Sequence, residues 1–161
     1  MHDIDQPLKA LHSFARSRGT SVRYGGLPDG IGGCAEGGRI VLRADLGPRQ
    51  ELLTLVHELT HIMAHVTAVR ACTPRTICEY EAEAVERLIA ERLGIATVEL
   101  ESCMCEAPPF PDGLLADSVI RVRRVARTLI AVVSARQPLA RATSAEPSRR
   151  EVACAAVVHG R

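Results

Sequence analysis

Residues 56–61 read Val56-His57-Glu58-Leu59-Thr60-His61. On an α-helix, positions four apart share a face, with Cβ atoms about 5–6 Å from each other. The imidazoles of His57 and His61 can therefore converge on one cation. Glu58, one residue on from His57, is angled away from that cation yet reaches a water beside it. Two neutral nitrogen donors and a carboxylate able to take a proton are the ingredients of metal-assisted hydrolysis with a resident base.

A catalytic zinc takes three protein ligands and leaves one position open, so a third donor must come from elsewhere. The segment 78–88, CEYEAEAVERL, offers one. On a helix Glu79 and Glu83 share a face, Glu86 lies close to it and Glu81 points elsewhere. One carboxylate at this spacing can bind the metal while another accepts a hydrogen bond from a ligating histidine. A solvated acidic face, with Glu83 supporting Arg87 one turn on, would account for this helix alone. Beside His57 and His61, the ligand reading accounts for more.

The elements that must position these groups follow from periodicity. Gly47-Pro48 opens a helix, with Pro suited to its first position. That helix is expected to run to about residue 68 on the apolar stripe Leu52, Val56, Leu59, Met63 and Val66. The histidines lie off this stripe, on the flank that carries Thr54, Glu58 and His65. After a loop at 70–76, broken at Pro74, a second helix over 77–93 buries Ala82, Val85, Ile89 and Leu93, and Gly94 ends it. Upstream, Ile4, Leu8, Leu11 and Ala15 predict a helix over 4–18, and Ser21–Tyr24 a short strand. Arg39–Ala44 is the best strand, with Ile40 and Leu42 on one face. After APPFPDG at 107–113, a third helix over 114–136 is expected to turn Leu115, Val119, Val122, Ala126, Leu129 and Val133 inward. Ser148-Arg149-Arg150-Glu151 is a capping-box pattern that predicts a short helix at 149–158. The expected fold is α+β, a small antiparallel or mixed sheet packed on a helical core. Residues 1–136 form one domain and 137–161 a C-terminal tail.

Other function classes are disfavoured. Residues 25–38, GGLPDGIGGCAEGG, contain a formal G-x-G-x-x-A at Gly30–Ala35. A dinucleotide fingerprint needs a helix directly after it, whereas Gly37-Gly38 and a strand follow here. With no G-K-[ST] either, the stretch is expected to be a mobile hairpin or loop. A net charge of +1 over 161 residues gives no reason to expect nucleic-acid or acidic partners. The run RVRRVAR at 121–127 sets Arg121, Arg123, Arg124 and Arg127 on outer helix faces without interleaved aromatics, as a solvated face would. Six cysteines without C-x-x-C spacing predict free thiols in a reducing compartment. Among them, Cys72 and Cys78 lie near the candidate site, and Cys103-Met104-Cys105 is too little for a zinc knuckle. The charged start lacks an apolar core for a signal peptide, and the longest apolar run, LIAVV at 129–133, is too short to span a bilayer. A cytoplasmic protein without membrane contact is expected.

The pairing of TLVHELTHIMAH (54–65) with CEYEAEAVERLIAERLG (78–94) resembles the compact gluzincin metallopeptidases of the ImmA/IrrE type. Within them it is most similar to the C-terminal peptidase domain of ArdC-type antirestriction proteins. In such gluzincins the third ligand is the first Glu of E-x-x-A-[DEN], here Glu79-Tyr80-Glu81-Ala82-Glu83. The resemblance implies a zincin core with His57, His61 and Glu79 as Zn2+ ligands. It also implies Glu58 as catalytic base and Glu83 as a carboxylate behind a ligand. It runs from roughly Gly38 to Ser134. The L-L-M-P ending common in ImmA/IrrE proteins is replaced by RLIAERLGI, and 161 residues leave no room for the single-strand DNA-binding domain of ArdC-type proteins. Direct nucleic-acid binding is therefore not carried over.

The implied activity is limited, regulatory proteolysis of a cytosolic partner such as a helix-turn-helix repressor. The alternative is an antirestriction or regulatory binding module that keeps the zinc fold without needing proteolysis; a third option is hydrolysis of a non-peptide amide. An oxyanion stabiliser is expected besides the metal. His65, two turns on from His57, is the first catalytic candidate for it, and an equal alternative puts it behind a ligand or at the surface. Tyr80 and Tyr24 are weaker candidates. The strand Arg39–Ala44 is expected to hold an extended peptide by edge pairing.

Overall fold

A computed structural model describes residues 4–65, 67–96 and 113–135. Among them the chain forms five helices and a three-stranded mixed sheet. The order is α1 (Asp5–Ser17), β1 (Ser21–Gly25), β2 (Gly33–Glu36), β3 (Arg39–Arg43), α2 (Pro48–Ala64), α3 (Thr67–Cys72), α4 (Arg75–Leu93) and α5 (Leu114–Ser134). The α+β expectation holds, and the sheet is of the mixed kind.

In the sheet, β3 lies between its partners, parallel to β1 and antiparallel to β2. Gly37 and Gly38 have φ of 55° and 76° and join β2 to β3 in two residues. Positive φ at both central residues is the hairpin turn whose twist matches the flanking strands. The glycine-rich stretch thus contains a strand that periodicity did not reveal. It also moves the open edge. Because β3 is paired on both sides, Arg39–Arg43 is not available for edge pairing with a peptide, and β1 and β2 are the edge strands instead.

The core is aliphatic, as the scarcity of aromatics requires. Leu11 of α1, Ile40 and Leu42 of β3, Leu52, Leu55, Val56 and Leu59 of α2, Val85 and Ile89 of α4, and Val125 and Leu129 of α5 are buried together. Each such side chain contributes about 1.5–3 kcal/mol of hydrophobic stabilisation. Helix α2 is central: α1, α4, α5, β2 and β3 all pack on it. A helix covered on so many sides can carry buried polar groups only if their partners are built in. Glu58, Thr60 and His61 of α2 are such groups.

Gly47 is the N-cap of α2 and Pro48 its first helical residue. The helix stops earlier than its apolar stripe suggests. His65 leaves helical geometry (φ −109°, ψ 53°), and a separate short helix, α3, runs into the start of the expected loop. Pro74 and the left-handed Gly94 bracket α4. On α5 the buried residues are Ser118, Val125, Ala126, Leu129 and Val133. Leu115 and Val119, expected inside, are 56% and 45% exposed. Val66, Cys103–Cys105, Pro108–Pro111 and the proposed helix at 149–158 lie outside the described residues. No helix among the described residues is long and apolar enough to cross a membrane.

Candidate metal centre

Helices α2 and α4 lie side by side, which brings His57 and His61 of one against Glu79 of the other. His57 Nε2 and His61 Nε2 are 3.1 Å apart. Glu79 Oε2 lies 3.3 Å from the first and 3.2 Å from the second. His57, His61 and Glu79 form the one group of three or more such donors among the described residues placed to hold a metal ion. A tetrahedral zinc at ~2.0–2.1 Å from each ligand holds its donor atoms about 3.3–3.4 Å apart. The observed triangle is close to one face of that tetrahedron, so the residues fit a metal that keeps its fourth position open.

Electrostatics agree with a cation site. Glu79 is held well below the usual carboxylate range, chiefly by hydrogen bonds with His57 and His61, against the opposing effect of burial. Burial pushes His57 down, but its hydrogen bonds with Glu79 and Glu86 prevail and raise it to about 10. His61 is lowered, first by burial. Without an ion, a proton on His57 balances the carboxylates. A cation placed among the three donors takes over that role.

Glu58, the next residue after His57, meets strand β2. Burial raises its carboxyl to about 7, opposed by the charge of His57, and it accepts a hydrogen bond from the backbone N–H of Ala35. Strand β2 therefore lies directly over the base. Its approach depends on Gly33, where a Cβ would stand 2.6 Å from Thr54 Cγ2 and 2.9 Å from Glu58 Cγ. No other residue type fits that contact unless Thr54, Glu58 or the strand shifts. Gly33 and Ala35 are positions at the candidate site that sequence patterning missed; the glycine richness marked the region but not the contact.

His57 Nδ1 lies 3.2 Å from Glu86 Oε2, so Glu86 backs this histidine; Glu83, expected behind a ligand, is half-buried on the same helix. His65 is 2% exposed. Its Nδ1 lies 2.9 Å from His61 Nδ1 and its Nε2 3.0 Å from Glu81 Oε2. It therefore sits behind His61, on the side remote from the donor triangle, with both ring nitrogens engaged. Glu81 is fully buried and takes two hydrogen bonds from Arg121, one at 2.9 Å to Oε2 and a shorter one to Oε1. Burial raises this carboxyl, but Arg121, His65 and Ser118 together lower it to about 2. Arg121 is thus not on a solvated face. Arg123, Arg124 and Arg127 are exposed as expected and line a shallow depression with Ile120 and Thr128.

Tyr24 is remote from this centre in its contacts. It donates a hydrogen bond to Glu51, and both pair with His12. Tyr80 is half-buried on α4. Cys78 is buried, and Cys72 and Cys34 are exposed free thiols. A scan against protein-family models finds no match to this chain. Searches of curated proteins and of solved structures likewise find none.

Proposed function

We propose that this chain is a zinc-dependent metallopeptidase of the compact gluzincin type. The observation that carries the reading is the convergence of His57 Nε2, His61 Nε2 and Glu79 Oε2 within 3.1–3.3 Å of one another, with Glu58 as the next residue on the same helix. Two imidazoles and one carboxylate are a known catalytic zinc set. When bound, zinc supplies Lewis acidity that polarises a carbonyl and acidifies water.

The chain's own groups do the rest. His57, His61 and Glu79 hold the ion. Glu58 takes a proton from water at its carboxylate and hands it to the leaving amine. Burial suits it to this exchange, because a base poised near 7 both accepts and releases a proton at neutral pH. The backbone N–H of Ala35 fixes the carboxylate's orientation. Gly33 and Ala35 alternate with the residues of β2 that bond to β3, so their backbone groups face the outer edge. An extended peptide laid along that edge passes over Glu58, which favours a peptide over a small amide as substrate. The partner in view is a cytosolic protein such as a helix-turn-helix repressor, cut at a limited number of sites.

The substitution Glu58→Gln tests the proposal. It removes the base while leaving the three metal ligands in place. Loss of cleavage of a generic peptide library or of a repressor substrate, with metal content near one ion per chain, is the expected outcome. Full biological activity in this variant would transfer the reading to a binding module that keeps the fold without proteolysis.

A further inference from the structure

The two metal-facing histidines are held from behind in different ways, and hydrogen-bond logic fixes one of them completely. If His61 Nε2 offers its lone pair to the donor triangle, the neutral ring carries its proton on Nδ1. His61 Nδ1–H then donates across 2.9 Å to His65 Nδ1, which must be the bare nitrogen of that ring. His65 therefore carries its proton on Nε2 and donates it across 3.0 Å to Glu81 Oε2. Glu81 has no proton to give in return, since Arg121 fills its remaining acceptor directions with a two-pronged pair and Ser118 adds another hydrogen bond. With His61 Nε2 given to a metal, this is the assignment in which every N–H of Arg121, His65 and His61 along the chain meets an acceptor.

We propose that His65, Glu81 and Arg121 form a buried positioning relay that locks His61 as the Nδ1–H tautomer and makes α5 part of the metal centre. This rests on the reading of His57, His61 and Glu79 as metal ligands. The side chains of His65 and Glu81 are wholly excluded from solvent and that of Arg121 is 12% exposed, so water cannot substitute for a missing member. The relay also gives a physical reason for the break after Ala64. A ring clamped between His61 and Glu81 sits where His65 has already left helical geometry. His57, by contrast, is backed directly by Glu86, without an intervening ring. His65 is a positioning residue in this arrangement and touches no substrate.

The test uses the full chain labelled with 15N-histidine, together with zinc and cobalt affinities measured against a chelating indicator. In the metal-loaded wild type, the proton of His61 is expected on Nδ1 and that of His65 on Nε2. A proton on His65 Nδ1 with Nε2 bare overturns the relay, whether or not any variant folds. His65→Phe is expected to weaken metal binding about 10–100-fold and to perturb the cobalt absorption spectrum. His65→Gln, whose amide can accept from His61 and donate to Glu81, is expected to restore most of the loss. Arg121→Lys keeps the charge but loses the fork and should weaken binding less than His65→Phe does. Tight metal binding by the wild type with unchanged affinity and spectrum in His65→Phe overturns the relay alone. No binding of either ion by the wild type overturns the metal reading, and the relay with it.

Discussion

Among the described residues, two clusters in which histidine meets glutamate near the surface differ in kind. One is His57, His61 and Glu79; the other is His12, Glu51 and Tyr24, which joins α1, α2 and β1. Their spacings are alike: His12 Nε2 lies 3.2 Å from Glu51 Oε1, and His61 Nε2 lies 3.2 Å from Glu79 Oε2. In the second cluster, however, the Tyr24 hydroxyl gives its proton to Glu51. Burial and that carboxylate raise the phenol to about 12, so it stays a donor at all ordinary pH. A donor that fills a lone pair closes a cluster to a cation. In the first cluster no hydroxyl intervenes: two imidazole nitrogens and one carboxylate oxygen converge within 3.1–3.3 Å, and each histidine has a partner behind it. Proximity alone does not set the first cluster apart; convergent donor atoms backed by partners do.

That distinction is open to direct attack. The largest effect is expected from Glu58→Gln, which should lower peptide hydrolysis by about 10²–10⁴-fold, measured by single-turnover cleavage. Glu51→Gln, the matching change in the other cluster, should leave the rate unaltered. A comparable loss in both would place the chemistry elsewhere.

Next comes the packing over the base. Gly33→Ala must displace either β2 or the Thr54 and Glu58 side chains it rests on. Overpacking of this kind costs about 1–3 kcal/mol, so both the thermal midpoint and the hydrolysis rate should fall. Gly26→Ala, where a Cβ meets nothing within 4 Å, is the control and should stay within about 0.5 kcal/mol of wild type. Equal stability in the two variants would show that β2 does not rest on the base.

The smallest effect belongs to the closed cluster. Tyr24 is 54% exposed, and Tyr24→Phe should cost no more than about 1 kcal/mol with metal content unchanged. Its folded pKa lies above the ordinary value of 10, so the folded state holds this proton more tightly than the unfolded chain does. The stability it provides is complete below pH 10 and is lost as pH rises through 12. Denaturation curves at alkaline pH should therefore converge for wild type and Tyr24→Phe. A gap that persists unchanged at the alkaline end would rule out this hydrogen bond as its cause.

Much of this was legible in the residues. Regular spacing of Leu, Val, Ile and Ala located α1, α2, α4 and α5 to within a few residues, and alternation located β3. His57, Glu58, His61 and Glu79 could be grouped because helix geometry converts sequence spacing into a face. Other features leave no periodic trace. Strand β2 has a glycine where it crosses Glu58, so the side-chain alternation that announces a strand is missing there. The stop after Ala64 lacks Pro or Gly and coincides with the contacts of His65 to His61 and Glu81, which are tertiary in part. Four glutamates within eight residues of α4 are equivalent by composition. Only the packing of α2 and α5 assigns Glu79 to the triangle, Glu86 to His57 and Glu81 to Arg121. Arg121 itself is indistinguishable in sequence from its exposed neighbours Arg123 and Arg124. What separates it is a buried carboxylate contributed by another helix.

The most direct measurement is metal content per chain, by elemental analysis after purification and dialysis, for wild type, Glu79→Ala and Glu51→Ala. The expected result is near one zinc per chain in the wild type and in Glu51→Ala, and severe loss in Glu79→Ala. Unchanged zinc in Glu79→Ala would contradict the assignment of the donor triangle, and with it the metal centre on which the proposed function stands.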